Sequence, residues 1–222
     1  MSLNKLVKFS QIISQYVGIV IPPGDWNNLD QMLLKRVIAL QLDSAQDYFL
    51  FLESSSSASI QEWALLISKL RVGESYFFRD SGQMTVLETV ILPELLRLNA
   101  GTRKLRLLSA GCSTGEEAYS LAMLLDRIMP SWEGWDIKII GVEIDAESLN
   151  TARRGLYTDW SFRRVPQILK NNYFKQLGST WQIEQRIRNK VEFICANMVQ
   201  VDFPNSYPQI YAMDLILCRN VF

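Results

Sequence analysis

The sequence predicts an α/β domain with a doubly wound parallel sheet, preceded by a small all-helical domain. The early part of the chain carries apolar residues at helical spacing. Further along, short apolar runs alternate with amphipathic stretches, and a glycine-bearing loop joins the first run to the helix after it. We place the helical domain at residues 1–72 and the sheet domain at residues 73–222.

Composition excludes several classes of function. The 222 residues include 23 Lys and Arg against 23 Asp and Glu, so no net charge is available to hold a nucleic-acid backbone, and we expect no nucleic-acid partner. No apolar run approaches the ~20 residues of a bilayer span, so we expect no direct membrane insertion. The three cysteines lie far apart without metal-ligand spacing, which indicates reduced thiols of a cytoplasmic protein and no metal site. With no histidine, the chain lacks the usual general base.

Helix signals dominate the first domain. Asp25 precedes an apolar stripe that predicts a helix to about residue 40. Ser44 with Asp47 forms a capping-box pattern, and Ser59 with Glu62 forms a second one that opens a helix toward residue 70.

Alternating elements follow in the second domain. We predict helices over residues 83–98, 116–128 and 146–154, and strands over residues 105–109, 136–142, 191–196 and 214–218. Residues 181–187 are expected to form an extra strand that pairs with residues 191–194. Because open sheets of this class usually contain more strands, we expect the chain to lack C-terminal strands.

The loop after the first predicted strand is the main candidate for ligand binding. Gly111 and Gly115 allow a tight turn and close approach of a ligand. Glu116 and Glu117 follow where a phosphate-binding loop would place Lys and Ser or Thr, and a dinucleotide fingerprint would need a third glycine at Ala118. An acidic loop favours a cationic ligand such as S-adenosylmethionine, which carries an ammonium and a sulfonium but no phosphate. The alternative is that both glutamates only cap the helix.

Polar residues also follow the next two strands. Glu143 ends the second strand, where a carboxylate can accept hydrogen bonds from ribose hydroxyls, while Asp145 is expected to cap the following helix. Asn197 follows the third strand and could read an adenine edge, with Met198 packed on the ring. A simple turn is the alternative for Asn197.

Two further segments carry candidate site residues. Ser75 and Arg79 belong to an aromatic-rich stretch that suits a lid holding a planar anion, although a core aromatic cluster with a solvated arginine is the alternative. Arg219 and Asn220 follow the fourth strand, where they either face the functional edge of the sheet or form an exposed strand end.

Taken together, these segments resemble the CheR-type chemotaxis receptor methyltransferases. The matching stretches are Glu74–Asp80, Ser113–Ser120, Ala152–Tyr157 and Cys218–Val221, in the order and spacing of that family. The resemblance implies a Rossmann-like, S-adenosylmethionine-dependent methyltransferase sheet after a small helical domain.

The resemblance also implies a reaction and a partner. The reaction is methyl transfer from S-adenosylmethionine to glutamate side chains of a chemoreceptor-type protein, which leaves S-adenosylhomocysteine. The cofactor-binding residues are then Ser75, Arg79, Gly111, Gly115, Glu117, Glu143, Asn197, Met198, Arg219 and Asn220. We assign Arg79 the catalytic role of orienting the acceptor carboxylate through a two-pronged contact.

Three departures from the family pattern matter. The family often has Asn where this chain has Gly73, which would remove one cofactor contact. The family's N-terminal helix can be rich in arginine, whereas Leu33–Ile38 carries only Lys35 and Arg36. The family also continues to a tyrosine near the methyl acceptor, beyond Val221, so both an active and an inactive chain are left open. The alternatives are an S-adenosylmethionine-binding signalling or scaffold module without catalysis, a methyltransferase for a different acceptor, and a dinucleotide-dependent enzyme.

Overall fold

A computed structural model describes residues 2–70, 74–129 and 131–219. The chain divides into two compact units. The first contains the described residues up to 70 together with residues 197–203, and the second contains residues 74–196 and 204–219. The division predicted at residue 72 lies in a stretch outside the described residues, and the membership of residues 197–203 in the helical unit was not predicted.

The first unit is helical. Its helices are α1 (Leu3–Val17), α2 (Trp26–Ala39), α3 (Ala45–Glu53) and α4 (Ser57–Leu70), with a 3-10 turn at Pro23–Asp25. Helix α1 was not predicted individually. Its buried residues recur every three or four positions on one face, and they are Leu6, Phe9, Ile13 and Val17. That face is the contribution of α1 to the core of this unit.

The capping predictions had mixed outcomes. Ser44 caps α3 as predicted, because its hydroxyl accepts a hydrogen bond from the amide of Asp47 at 3.2 Å. Asp25 stands before α2, but its side chain makes no capping bond. The capping box at Ser59 is wrong, because α4 begins two residues earlier and the Ser56 hydroxyl accepts the amide of Ser59 at 3.1 Å.

Glu62 is buried instead of capping a helix. Its carboxylate accepts two hydrogen bonds from Arg36, at 2.8 and 2.7 Å, and a third from the Tyr48 hydroxyl at 2.6 Å. A buried carboxylate requires such partners, since an unpaired one would carry a large desolvation cost. The three side chains thereby tie α2, α3 and α4 together.

The second unit begins with a long interrupted helix. It consists of α5 (Ser81–Val86), a π-helical turn (Leu87–Ile91) and α6 (Leu92–Leu98). The predicted helix is confirmed, and the wider turn precedes Pro93, whose ring could not fit within a regular α-helical ladder.

A parallel sheet forms the centre of this unit. Its strands β1 (Lys104–Ala110), β2 (Asp136–Glu143), β6 (Val191–Cys195) and β7 (Leu215–Cys218) lie in the order β6-β2-β1-β7. Helices α7 (Glu116–Ile128) and α8 (Ala146–Arg154) have the predicted bounds. Strands β2 and β7 lie on opposite sides of β1, so the order in which strands are added to the sheet changes direction at β1. Open α/β sheets bind ligands at the carboxyl ends of the strands beside such a switch point.

A smaller antiparallel sheet is inserted between α8 and β6. Its strands β3 (Leu156–Tyr157), β4 (Phe174–Leu177) and β5 (Thr180–Ile183) have the order β3-β5-β4, with α9 (Gln167–Tyr173) before β4. The predicted pairing of residues 181–187 with 191–194 is wrong. Strand β5 pairs with β3 and β4, and α10 (Gln185–Arg188) occupies the rest of that segment.

The core of the second unit joins both sheets. Helix α7 is buried along most of its length, and a cluster of aromatic rings from Phe77, Tyr157, Phe162 and Phe174 lies beside it. Among the described residues, no helix has both the length and the apolar character needed to cross a membrane.

Candidate functional site

The loop between β1 and α7 folds back against the end of β2. Gly111, Ser113 and Gly115 have positive φ values of 71°, 50° and 93°. The amides of Gly111 and Cys112 both donate to the carbonyl oxygen of Val142, at 2.8 and 3.0 Å. The loop is therefore fixed to the neighbouring strand.

Gly115 serves packing as well as turning. A Cβ atom at this position would lie 2.8 Å from the Cβ of Ala152 and 3.0 Å from the Cζ of Phe193. The start of α7 can approach α8 and β6 only because this side chain is missing. The predicted cofactor contact of Gly115 stays a prediction.

Glu143 lies beside this loop, as the prediction for a ribose-binding carboxylate requires. One of its oxygens accepts the amide of Ser113 at 2.9 Å. The other accepts the amides of Ile144 and Asp145 at 2.8 and 3.0 Å. Asp145 itself caps α8 through its side chain, as predicted. The Glu143 carboxylate thus joins the carboxyl ends of β1 and β2.

Glu117 and Arg219 form the charged part of the site. The Ser109 hydroxyl donates to the Glu117 carboxylate at 2.7 Å, and the other carboxylate oxygen lies 3.5 Å from the Nε of Arg219. Arg219 also donates to the carbonyl oxygen of Arg79 and to the Asp80 carboxylate, both at 2.8 Å. Arg219 therefore links β7 to the aromatic-rich segment at residues 74–80.

Burial shifts the titration of two groups in the site. Burial raises the pKa of the Glu117 carboxyl, although the hydrogen bond from Ser109 and the charge of Arg219 act in the opposite direction. Burial also raises the pKa of the Cys112 thiol well above its usual range, and the nearby Glu143 and Glu117 add to that effect. Cys112 is therefore a protonated, unreactive thiol at neutral pH.

Five of the predicted residues line one cavity of about 80 Å³. They are Ser75, Arg79, Gly111, Glu117 and Arg219, and the remaining lining residues are Glu74, Tyr76, Met84, Cys112 and Ser113. The cavity has room for an ionic group such as an ammonium or a carboxylate, not for a whole nucleoside. The Arg79 guanidinium donates to the carbonyl oxygen of Glu74 and lies 5.5 Å from the centre of the Tyr76 ring.

Glu116 was expected to face the ligand, but it does not line the cavity. It is 2% exposed, and its carboxylate accepts hydrogen bonds from the hydroxyls of Thr114 and Ser161, at 2.6 and 3.1 Å. The amide of Phe77 donates to the carbonyl oxygen of Ser161 at 3.0 Å. Glu116 therefore anchors the aromatic-rich segment from inside the fold.

Asn197, Met198 and Asn220 were also predicted as site residues. Asn197 and Met198 belong to the unit of the N-terminal helices, where the Asn197 amide donates to the carbonyl oxygen of Tyr16 at 2.6 Å and accepts the amide of Val199 at 3.2 Å. Asn220 lies outside the described residues.

Comparison with known proteins identifies the family. Residues 73–222 match the family model described as CheR methyltransferase, SAM binding domain. The chain belongs to the CheR methyltransferase family.

Curated relatives carry matching names. The CheR chain is 31% identical over 215 residues to chemotaxis protein methyltransferase 2 of Vibrio cholerae, covering 96% of this chain and 73% of that protein. It is 36% identical over 179 residues to the chemotaxis protein methyltransferase of Borreliella burgdorferi, covering 79% and 61%. The corresponding protein of Salmonella typhimurium is 31% identical over 219 residues, with 96% and 71% covered.

Prediction from sequence missed two residues of the CheR site. Ser109 is buried in β1 and orients Glu117, and Asp80 pairs with Arg219. A hydroxyl after the apolar pair Leu107 and Leu108, near the end of β1, was the available signal for Ser109. Asp80 could not be found from sequence, because its partner lies 139 residues away.

Proposed function

We propose that this chain is an S-adenosylmethionine-dependent protein-glutamate O-methyltransferase that acts on a chemoreceptor-type protein. The family match supports the methyl donor, and the names of the relatives support the kind of acceptor. The three cysteines are free, in keeping with the reducing cytoplasm that we propose as its compartment.

The observation that carries the proposal is the pairing of opposite charges in the small cavity. The Nε of Arg219 makes only the 3.5 Å ion pair with Glu117, and one terminal nitrogen is buried without a hydrogen-bond partner among the described residues. Buried N–H groups without a partner are costly, so they indicate a missing acceptor. Glu117 supplies an anion at the same place. A ligand with both an ammonium and a carboxylate, such as the amino-acid end of S-adenosylmethionine, fits this arrangement.

The nucleoside end is assigned to the outer part of the site. Glu143 would hold the ribose, since the oxygen that accepts the Ser113 amide keeps acceptor capacity, whereas the other oxygen already accepts two amides. We assign Asn197 and Met198 to the adenine side, which requires the Asn197 amide to exchange its bond to Tyr16.

The proposed chemistry needs no general base. When bound, the cofactor supplies an electrophilic methyl group on a sulfonium centre. A glutamate acceptor has a reference pKa of about 4.3, so it is already a carboxylate at neutral pH and can attack directly. The residues of the chain then hold, orient and desolvate the reactants, which agrees with the lack of histidine.

Arg79 is the residue that we assign to the acceptor. It lines the cavity at the edge of the aromatic-rich segment, and its planar guanidinium can bind a carboxylate in a two-pronged manner. A charge-assisted contact of this kind is worth about 1.5–3 kcal/mol, so Arg79→Ala should lower turnover roughly 10- to 150-fold.

The experiment follows labelled methyl from S-adenosylmethionine into chemoreceptor cytoplasmic domains and scores label that alkali releases, as expected of a methyl ester. It uses this chain and, where the gene encodes a longer protein, that protein too. Arg164→Ala is the control, since Arg164 is exposed and does not line the cavity. S-adenosylhomocysteine binding without any transfer would replace the proposed enzyme by a non-catalytic binding module.

A further inference from the structure

An open surface groove of about 800 Å³ lies between α8, α10 and β6. Arg153 and Arg154 at the end of α8, Arg188 at the end of α10 and the ring of Phe193 line it, and we call it the arginine groove. Helix α8 starts after the carboxyl end of β2 and returns toward the amino ends of the strands. The groove shares no lining residue with the cavity of about 80 Å³ at Glu117 and Arg219, so it is a separate site.

The three arginines of the groove donate to neutral oxygens. Arg153 donates to the carbonyl oxygen of Phe193 at 3.0 Å, and Arg188 donates to the carbonyl oxygen of Arg154 at 3.3 Å. Arg154 donates to the Thr151 hydroxyl at 3.5 Å. Because a guanidinium has five N–H donors, each side chain keeps donors for a ligand.

A neighbouring arginine, in contrast, is paired with a carboxylate. Arg186, also on α10, forms an ion pair with Asp126 at 2.7 Å. Among the groove's lining residues, Glu147 is the one carboxylate beside the three arginines. The chain as a whole has 23 basic and 23 acidic residues, so this excess of positive charge is local.

The rest of the lining defines the shape of the ligand. Asn150, Gln185 and Asn189 supply amide groups, and Val191 and Phe193 supply an apolar floor. The Gln185 amide already donates to Asn189 and accepts from Arg188, so a ligand would use the capacity that these bonds leave. The volume lies within the roughly 300–1,000 Å³ of small-molecule sites. Arginine forks suit phosphate, and a phosphate group carries about −1.5 to −2 charge near neutral pH.

We propose that the arginine groove binds a phosphorylated small molecule of the nucleotide class. The phosphates bind the guanidinium groups, and the base lies on the Phe193 ring among the amides. A nucleic-acid polymer is disfavoured, because it would require a basic surface larger than one groove on a chain without net charge.

The groove is also in contact with the cofactor loop through Phe193. The Phe193 ring packs against Tyr119, with centroids 5.3 Å apart, and its atoms lie within 3.0 Å of where Cβ atoms of Gly115 and Gly141 would stand. A ligand that holds the groove side of this ring also restrains the loop behind it. The proposal therefore includes coupled binding at the two sites, and any such coupling must be reciprocal.

The test is calorimetric titration with inorganic pyrophosphate and with GDP, whose guanine does not imitate the adenine of the cofactor. GDP should bind more tightly than pyrophosphate, and Arg154→Glu should weaken both at least about tenfold, which corresponds to about 1.4 kcal/mol. Arg153→Gln is the second variant, because it keeps a donor for the β6 carbonyl. Arg103→Glu is the control, since Arg103 is exposed at the amino end of β1 and outside the groove.

The coupling is measured by titrating S-adenosylhomocysteine with and without saturating GDP. We expect GDP to tighten S-adenosylhomocysteine binding about fivefold, and Phe193→Leu to remove that effect. The assignment of the arginine groove as a binding site would be overturned if the Arg154 and Arg103 variants lost GDP affinity equally. It would also be overturned if the wild-type protein bound neither GDP nor pyrophosphate. GDP no tighter than pyrophosphate would overturn the nucleotide class, and an unchanged S-adenosylhomocysteine affinity would overturn the coupling. S-adenosylhomocysteine binding without GDP tests the cofactor site independently.

Discussion

Glu117→Gln separates the binding role of this carboxylate from its role in the fold. Glutamine keeps the shape of the side chain and an acceptor for the Ser109 hydroxyl, and Arg219 keeps its bond to Asp80. The substitution removes the negative charge that we assign to the cofactor ammonium. The loss of a charge-assisted hydrogen bond of about 1.5–3 kcal/mol should weaken S-adenosylhomocysteine binding roughly 10- to 150-fold.

The pH dependence sharpens this prediction. Burial raises the pKa of the Glu117 carboxyl in the folded protein above its ordinary 4.5, so the unligated fold favours the protonated form. This contribution to stability is fully present below pH 4.5 and is lost as pH rises through the raised pKa. The unligated Gln variant should therefore be at least as stable as the wild type at neutral pH.

Ligand binding should follow the opposite trend. The ammonium favours the ionised carboxylate, so the affinity of the wild type for S-adenosylhomocysteine should rise with pH through the same window, and that of the variant should not. Calorimetry from about pH 4.5 to about pH 7.5 measures the affinity, and thermal unfolding measures stability. Glu192→Gln, an exposed glutamate on β6, is the control. Parallel affinity curves for Glu117→Gln and wild type would refute the role of Glu117.

Further predictions concern the helical unit and the thiols. Glu62→Gln should lower the free energy of unfolding in urea by about 3 kcal/mol, because it breaks a buried ion pair with Arg36 and weakens the bond to Tyr48; a loss below about 1 kcal/mol would contradict this. Iodoacetamide at mildly alkaline pH should alkylate Cys195 well before Cys112, because Cys195 is exposed whereas burial raises the Cys112 pKa well above its usual range. Mass spectrometry of the peptides measures the order, and earlier labelling of Cys112 would show that the loop opens.

Sequence patterns within a few residues predicted the helices and strands that hold the loop between β1 and α7. The bounds of α7 and α8 were correct, because Gly115 and Asp145 mark their starts with a turn and a side-chain cap. The parallel strands were found because they are short apolar runs between helices. Such signals lie within a few residues of the feature that they predict.

Features that depend on distant partners could not be predicted. In a run of serines, any hydroxyl can cap a helix. Here the Ser56 hydroxyl accepts the amide of Ser59, while the buried Ser59 hydroxyl donates to the carbonyl oxygen of Leu52 at 2.9 Å. The three strands of the small sheet are short, and the pairing of β5 with β3 and β4 depends on tertiary contacts.

The two neighbouring glutamates of α7 point in different directions, which counting the charges in the sequence could not predict. Successive helical residues point about 100° apart, so Glu116 turns inward to Thr114 and Ser161, whereas Glu117 faces the cavity. Within the cavity Glu117 is therefore the carboxylate that faces the guanidinium of Arg219, since the other lining carboxylate, Glu74, forms an ion pair with Arg163. A rim of two anions would select a cation, whereas one anion beside one cation selects a zwitterion. If Glu117 and Arg219 bind the cofactor as proposed, they recognise the paired ammonium and carboxylate of its amino-acid end and not positive charge in general.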